Sequence, residues 1–500
     1  MAVAIENDVI DELGAICGAD HVLTGRSALL NRARVPAPFP VHKWEEHMPS
    51  AVVLPTSAEQ VSEVVKLANR ERIPVVPRAG GTGLADGAVP LRGGIMVDIK
   101  LMDQIKEIDL EDLTVTVGPG INMQTLNRAL HKYGVIYPDD PASYACSLVG
   151  GRIGTNGWSL LGGRYGHVRD LVISFEIVLP TGEIIRIGDG GGRKCRKSSV
   201  GYQLKQLFMG HQGTLGIVTE ATLELVPRAE CEFAAFFLYD GFQPAYETMR
   251  AIARCGLSTL TGVMFFDPEK VAYLRRDDEA YIGVPDWVQA VCGISLYGAR
   301  CEVEPAAEKV MSIGRQRGGR YIGDEISSAD WACRHDRYAN PQHGRTKDGQ
   351  VALMSWHCED AAVPISQMPA VREKWHAIAR RYVERYDIFD DWGMFAYTNA
   401  AFKPWGDVLM EIDLGLWEQR LDENGWQAFV DLKREIAQTV LDHGGSMSAA
   451  HGGTRVGDAE LVPTELGSAW EVTKRIKRML DPNNIMNPGK QMLDEAYEED

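Results

Sequence analysis

No apolar run among the 500 residues approaches the roughly 20 needed to span a bilayer, so no transmembrane segment is expected. The first eight residues, Met1 to Asp8, lack both the basic stretch and the apolar core of a secretory signal, which makes the cytoplasm the expected compartment. Basic charge is also short: 52 Lys and Arg stand against 69 Asp and Glu, a formal charge of -17. That balance argues against nucleic acid or an anionic membrane as the main partner, because binding phosphate needs a basic footprint. The nine cysteines are odd in number, scattered and free of C-x-x-C pairs. Neither a disulfide framework, a zinc ribbon nor an iron–sulfur site is indicated. Internal repeats and low-complexity linkers are missing as well. The chain has 45% apolar and 24% charged residues, as in well-folded proteins, and is longer than one core usually supports, so at least two domains are expected.

Glycine is plentiful, and it is clustered. Ile73-Pro74-Val75-Val76 reads as a strand, and it runs into Pro77-Arg78-Ala79-Gly80-Gly81-Thr82-Gly83-Leu84-Ala85-Asp86-Gly87. A loop this rich in glycine can turn left-handed and aim successive amides at a phosphate, forming an anion-binding nest. No Gly-Lys-Ser or Gly-Lys-Thr closes it as in a P-loop, and no long helix follows as in a Rossmann fingerprint. An ordinary surface turn is the competing reading of the loop taken alone.

Thr56-Ser57-Ala58-Glu59 reads as a capping box before a helix carrying Val61, Val64, Val65 and Ala68. Strands are predicted at 95–99 and 113–117, then a helix through Met123, Leu126 and Leu130. The alternation leaves α/β and α+β open. A second small-residue region holds Gly150, Gly151, Gly154, Thr155, Asn156 and Gly157, followed by Gly162-Gly163-Arg164-Tyr165-Gly166. A hairpin is predicted from Val172 to Ile187 about Pro180-Thr181-Gly182. The third loop, Gly213-Thr214-Leu215-Gly216-Ile217-Val218, opens another strand. Loops held on a rigid sheet are common binding positions.

From about Glu230 glycine clusters thin out and aromatic residues increase. Eight of the eleven tryptophans lie between Trp287 and Trp426, which indicates a second domain with its own core or an aromatic-lined pocket. Phe429, Leu432, Ile436 and Val440 share one helix face. A helix over 476–480 is stopped by Pro482 and followed by a turn-rich tail.

Taken in order, these pieces resemble the vanillyl-alcohol oxidase / p-cresol methylhydroxylase flavoprotein family, and within it the branch of the D-lactate dehydrogenases and glycolate oxidases. The resemblance rests on Pro77 to Leu84, on Asp140-Pro141 with Gly150-Gly151 and Thr155-Asn156-Gly157, on Gly213 to Glu220, and on Leu480 to Asn484 with Asn487-Pro488-Gly489-Lys490. It implies an α+β fold: a PCMH-type two-subdomain FAD-binding domain over 1–226, an α+β cap or substrate domain over 227–479, and a tail, 480–500, returning to the FAD domain. Residues implied at the cofactor are Pro77, Arg78, Ala79, Gly80, Gly81, Thr82, Gly83, Leu84, Asp140, Pro141, Gly150, Gly151, Gly154, Thr155, Asn156, Gly157, Tyr165, Gly213, Thr214, Gly216, Ile217, Val218, Asn487 and Lys490. No histidine lies between His47 and His131, where tethered relatives place one in the first loop, so noncovalent FAD is expected.

Oxidising an alcohol with flavin calls for a base on the hydroxyl, a hydride path to N5 and groups that fix the substrate. Ala449-Ala450-His451-Gly452-Gly453 falls where the branch carries Glu-His-Gly, which makes His451 the expected base. Metal-dependent members place histidines and that glutamate around an ion. This chain has Met394-Phe395-Ala396-Tyr397-Thr398-Asn399, Phe402 and Ala450, which cannot supply those donors, so no catalytic metal is expected. Arg334 and Arg337 fall where the branch often has a cap arginine, suited to a carboxylate by its bidentate fork, with Arg345 near. Trp356 to Asp360 reads as a sheet strand rather than a metal site, since neighbours point to opposite faces.

The expected activity is FAD-dependent oxidation of a CH–OH group, in a 2-hydroxy acid of the D-lactate, glycolate or 2-hydroxyglutarate type. An aromatic alcohol or para-substituted phenol, with Tyr397, Tyr338 or Tyr321 holding a phenolate, is the alternative, and a noncatalytic flavin-bearing component of a larger complex is a third. Oxygen, a quinone, a cytochrome and an electron-transfer flavoprotein are all open as acceptor. Homo-oligomerisation is open too.

Overall fold

The computed structural model describes residues 5–277, 284–335, 343–345, 351–389, 395–400, 407–452 and 458–497. Its first unit grows from short, fully buried strands. Ala51–Val53, Ile95–Asp98 and Val75–Arg78 run parallel, in a four-stranded sheet completed by antiparallel Val22–Leu23. The Asn7–Cys17 and Ala58–Glu71 helices cover it with Leu13, Val61, Val64 and Val65. The second helix starts one residue later than the sequence predicts. Ser57 is its N-cap and accepts from the Gln60 amide at 3.3 Å, while the Gln60 side chain returns to the Thr56 amide at 2.8 Å. The reciprocal pattern is therefore shifted onto Ser57 and Gln60.

Next comes a five-stranded antiparallel sheet in the order Ile105–Asp109, Thr114–Val117, Ile217–Glu224, Val172–Val178, Ile184–Gly188. The last two form the predicted hairpin. The second small-residue region is not a loop on a strand: Val149–Thr155 is helical, capped by Asn156 at φ +51°. Its apolar face, Val149 and Ile153, packs under the five-stranded sheet.

Beyond residue 230 an eight-stranded antiparallel sheet runs in the order Arg320–Tyr321, Cys231–Tyr239, Ala290–Gly298, Leu260–Phe266, Phe395–Ala400, Asp407–Trp417, Val351–Pro364, His343–Arg345. Helices Phe242–Ala253, Arg300–Gln316, Met368–Arg385 and Glu423–Asp442 bury one face. The last carries Phe429, Leu432, Ile436 and Val440 into this core, each worth about 1.5–3 kcal/mol on burial. Trp375 and Trp417 are fully buried. The opposite face meets Trp158, Leu160 and Leu161 from the first half of the chain, with Ala449 and Ala450 at its border. Among the described tryptophans of this region, Trp331, Trp375 and Trp417 are packing residues. Among the described residues no helix is long and apolar enough to cross a membrane.

Candidate active site

The first glycine loop leaves the edge strand Val75–Arg78. Gly81 has φ +63°, and a side chain there would collide with the Arg78 guanidinium folded against it. Arg78 donates to the Arg32 and Arg34 carbonyls, and burial pulls its pKa down. The amides of Gly80, Gly81, Thr82, Gly83 and Leu84 have no acceptor among the described residues, and a Cβ on Gly83 would meet nothing within 4 Å. Five consecutive donors without a protein acceptor among the described residues are what the expected anion nest would need.

Other segments close around it. A Cβ on Gly80 would lie 2.6 Å from the Cys146 carbonyl, and one on Gly151 3.1 Å from the Ala79 side chain. The Gln212 amide donates to Gly154 O at 2.8 Å. From the tail, the Asn487 side chain donates to Gly87 O at 2.8 Å and Gln212 O at 2.6 Å, and Lys490 donates to Asp86 O and Val89 O at 2.8 Å each. Lys477, fully buried, ties Thr214 O and Met486 O to Asp481. Asn487 and Lys490 therefore brace the loop's main chain. Around the same segments, Ser147 Oγ, Asn156 Oδ1, Trp158 Nε1, both His211 ring nitrogens and Asn487 Oδ1 are buried with no partner among the described residues. Buried polar atoms in native proteins are satisfied by protein, water or ligand, so these are available to a polar ligand seated here. A dinucleotide fits such a cradle: amides for its pyrophosphate, orphaned side chains for its other polar edges. Burial, reinforced by Lys477, lowers the His211 pKa to about 4, so that ring is a neutral donor and acceptor.

The remaining expected cofactor residues divide by role. Pro77 and Arg78 are strand, Ile217 and Val218 begin the Ile217–Glu224 strand, and Tyr165 is half-buried with Arg164 over its ring. The Asp140 carboxylate is already engaged: Arg334 Nε donates to Oδ2 at 2.8 Å and His335 Nε2 lies 2.8 Å from Oδ1. Burial pushes the Asp140 carboxyl up, but Arg334 and His335 outweigh it and hold it below the ordinary range. His335 also stacks on Tyr144 at 4.8 Å. Arg334 is thus a bolt between the two halves of the chain. Arg337 and Tyr338 lie outside the described residues. Tyr397 is placed by register, opposite Glu411 and Phe266. Tyr321 lies toward the other edge of the sheet and donates to Asp324.

His451 sits where the far strands of the eight-stranded sheet meet the glycine loops. Its Nδ1 lies 2.7 Å from Asp360 Oδ1, and its carbonyl accepts from Gln212. Asp360 comes from the Val351–Pro364 strand, 91 positions earlier, and is buried. Its Oδ2 accepts from the Ala449 and Ala450 amides at 2.5 and 2.6 Å. Burial alone would lower the histidine's pKa; Asp360, helped by Glu411 and Glu359, reverses this and raises it. No partner for Nε2 is found among the described residues.

The expected strand through Trp356 to Asp360 is present, and its alternation sorts the polar residues. His357 and Glu359 turn to the helix side, where Lys433 meets them, while Asp360 turns to His451. Sequence reasoning missed Asp360, Ser448, Gln212, His211 and Lys477. The one available signal for Asp360 was an acid amid buried strand positions. A separate cluster, Asp267, Glu269 and His376, has metal-ligand types, but Arg372 already pairs with both carboxylates.

Residues 49–188 match the FAD binding domain family, and residues 230–491 match the family described as FAD linked oxidases, C-terminal domain. The chain is 31% identical to the glycolate oxidase subunit GlcD of Bacillus subtilis over 98% of each chain. It is 27% identical to the D-2-hydroxyglutarate dehydrogenase of Stutzerimonas stutzeri over 96% of this chain and 98% of that one. Among solved structures, p-cresol methylhydroxylase with substrate bound superposes with a TM-score of 0.77 at 19% identity, covering 97% of this chain and 96% of that one. The 4-ethylphenol oxidase of Gulosibacter chungangensis, in its isoeugenol complex, gives 0.76 at 20%, covering the same shares. At those identities the likeness establishes the α+β PCMH-type fold. With the amide nest, the orphaned polar wall and a family match over more than half its length, this chain belongs to the FAD-linked oxidases, an oxidoreductase that uses FAD.

Proposed function

We propose that the protein oxidises the CH–OH group of a small 2-hydroxy acid, with His451 as the base that takes the hydroxyl proton. The observation that carries this reading is the His451–Asp360 contact, which occupies Nδ1 and leaves Nε2 without a protein partner among the described residues. A histidine so held accepts a proton at one nitrogen while the other is fixed. FAD, when bound, supplies the acceptor for the hydride at N5. The hydroxy acid class follows the relatives: glycolate, D-lactate and D-2-hydroxyglutarate are the substrates in the names of proteins similar along nearly the whole chain.

Arg334 is committed to Asp140, so the substrate carboxylate falls to Arg337, the other cap arginine. Tyr397, at the strand position opposite Glu411, is the second substrate contact of this reading. The glycine loops hold the cofactor noncovalently. Proton removal proceeds without a metal: Ala450 offers no ligand atom, and Asp360 is taken up by His451 and two amides. The three-part division at 226 and 479 and a cytoplasmic location complete the reading.

Anaerobic mixing with D-lactate, D-2-hydroxyglutarate or a vanillyl-type alcohol tests it. Bleaching of the flavin absorbance by a hydroxy acid is the expected result. Bleaching by the aromatic alcohol alone assigns the site to aromatic substrates.

A further inference from the structure

We infer that Asp360 is a positioning residue that fixes the tautomer and basicity of His451; this rests on His451 being the base. Three features of the geometry support it. Asp360 Oδ1 faces His451 Nδ1 at 2.7 Å, so the ring proton belongs on Nδ1 and the lone pair on Nε2. The other oxygen, Oδ2, is fixed by the Ala449 and Ala450 amides, so the carboxylate cannot rotate away. Ser448 completes the lock: its hydroxyl donates to Asp360, at 3.2 Å from Oδ2, and accepts from the Gly452 amide at 2.7 Å. The turn 448–452 is thereby wrapped around one carboxylate on a strand buried in the sheet.

The consequence is chemical. When Nε2 takes the substrate proton the ring becomes an imidazolium, and Asp360, buried and charged, stabilises that cation. The bond broken is the substrate O–H and the bond formed is Nε2–H. The substrate's hydride, with its electron pair, would be taken by the bound FAD of the proposed reaction. Other charges also face this pair. Glu411 comes from the neighbouring strand and Glu359 from the same strand, while Asp458 shares a pocket with His357 and Lys433 on the other side of that strand and Lys433 is paired with Glu359. Of these only Asp360 bonds the ring. A strand carboxylate thus makes His451 the stronger acceptor for the hydroxyl proton.

The test uses the FAD-loaded full chain, with ¹⁵N-histidine NMR, the pH profile of flavin reduction by D-lactate or D-2-hydroxyglutarate, and a double-mutant cycle. His451→Gln assigns the resonance. In the parent, His451 is expected with its proton on Nδ1 and a pKa above the free value. Asp360→Asn should lower that pKa, shift the rising limb of the pH profile to lower pH and slow reduction by roughly 100-fold or more, with flavin still bound. Asp360→Glu should restore part of the rate. In the His451→Gln background, Asp360→Asn should add little further loss. An unchanged His451 tautomer and pKa in Asp360→Asn, or strictly additive losses, would overturn the inference about Asp360. Near-parent reduction by His451→Gln would instead overturn the base assignment on which it rests. Ser448→Ala gives a milder perturbation should Asp360→Asn not fold, with a smaller downward move of the same pKa expected and no move counting against the role.

Discussion

The first glycine loop and the His451 turn are built in opposite ways. As proposed, the loop is a main-chain site. Its five amides without an acceptor among the described residues come from five consecutive residues, three of them glycine. The His451 site is a side-chain site, in which a histidine from a turn meets an acid from a strand 91 positions away. A backbone site is written locally and tolerates little change in backbone angle. A side-chain site depends on where two distant elements come to rest, and it fails through charge and geometry.

That contrast can be broken most sharply at the histidine. His451→Gln should keep the visible flavin spectrum and lose roughly 10²–10⁴-fold in the rate of reduction, measured by anaerobic stopped flow. If the flavin were lost instead, the two sites would not be separable.

Next in size is the bolt between the halves. Arg334→Ala leaves Asp140 buried without its strongest partner, and breaking such a pair costs about 3 kcal/mol or more. Thermal or denaturant unfolding should record this as lost stability, in a variant that still reduces its flavin when substrate is added.

The loop responds to a different insult. Gly81→Val places a branched residue at φ +63°, a strain of about 1–3 kcal/mol. The flavin-to-protein absorbance ratio after dialysis should fall by roughly 10-fold or more, the factor that follows from 1.4 kcal/mol. Substitution of Ala88, just outside the nest, should leave it unchanged.

The smallest effects are those of pH. His451 has a raised folded-state pKa, so its contribution to stability is fully present below the unfolded value of about 6.5 and is lost as pH rises through the folded value. Asp140 has a depressed value; its contribution is present above about 3.9 and is lost as pH falls through the folded value. Tm should therefore decline gently on the alkaline side, and Asp360→Asn should flatten that decline. Chelator treatment should leave flavin reduction unchanged.

The amino-acid sequence was enough for most of the fold, because the relevant forces act over a few residues. Alternation in Ile217–Glu224, the turn Pro180-Thr181-Gly182 and the periodic face of Glu423–Asp442 each specify their element locally. Some local readings still shifted under tertiary context. The helix cap moved from Thr56 to Ser57, and Val149–Thr155 became helical because its apolar face found the five-stranded sheet. The run of unpartnered loop amides proposed as a nest was legible for the same reason as the strands, since its donors are neighbours in the chain. The partners of side chains were not legible. Nothing near Asp140 shows that Arg334 will claim it, and nothing near His451 points to Asp360. Those pairings exist only once the eight-stranded sheet sets its register and docks against the glycine-bearing half. Attraction between charges depends on distance in space, and the folded chain alone sets that distance.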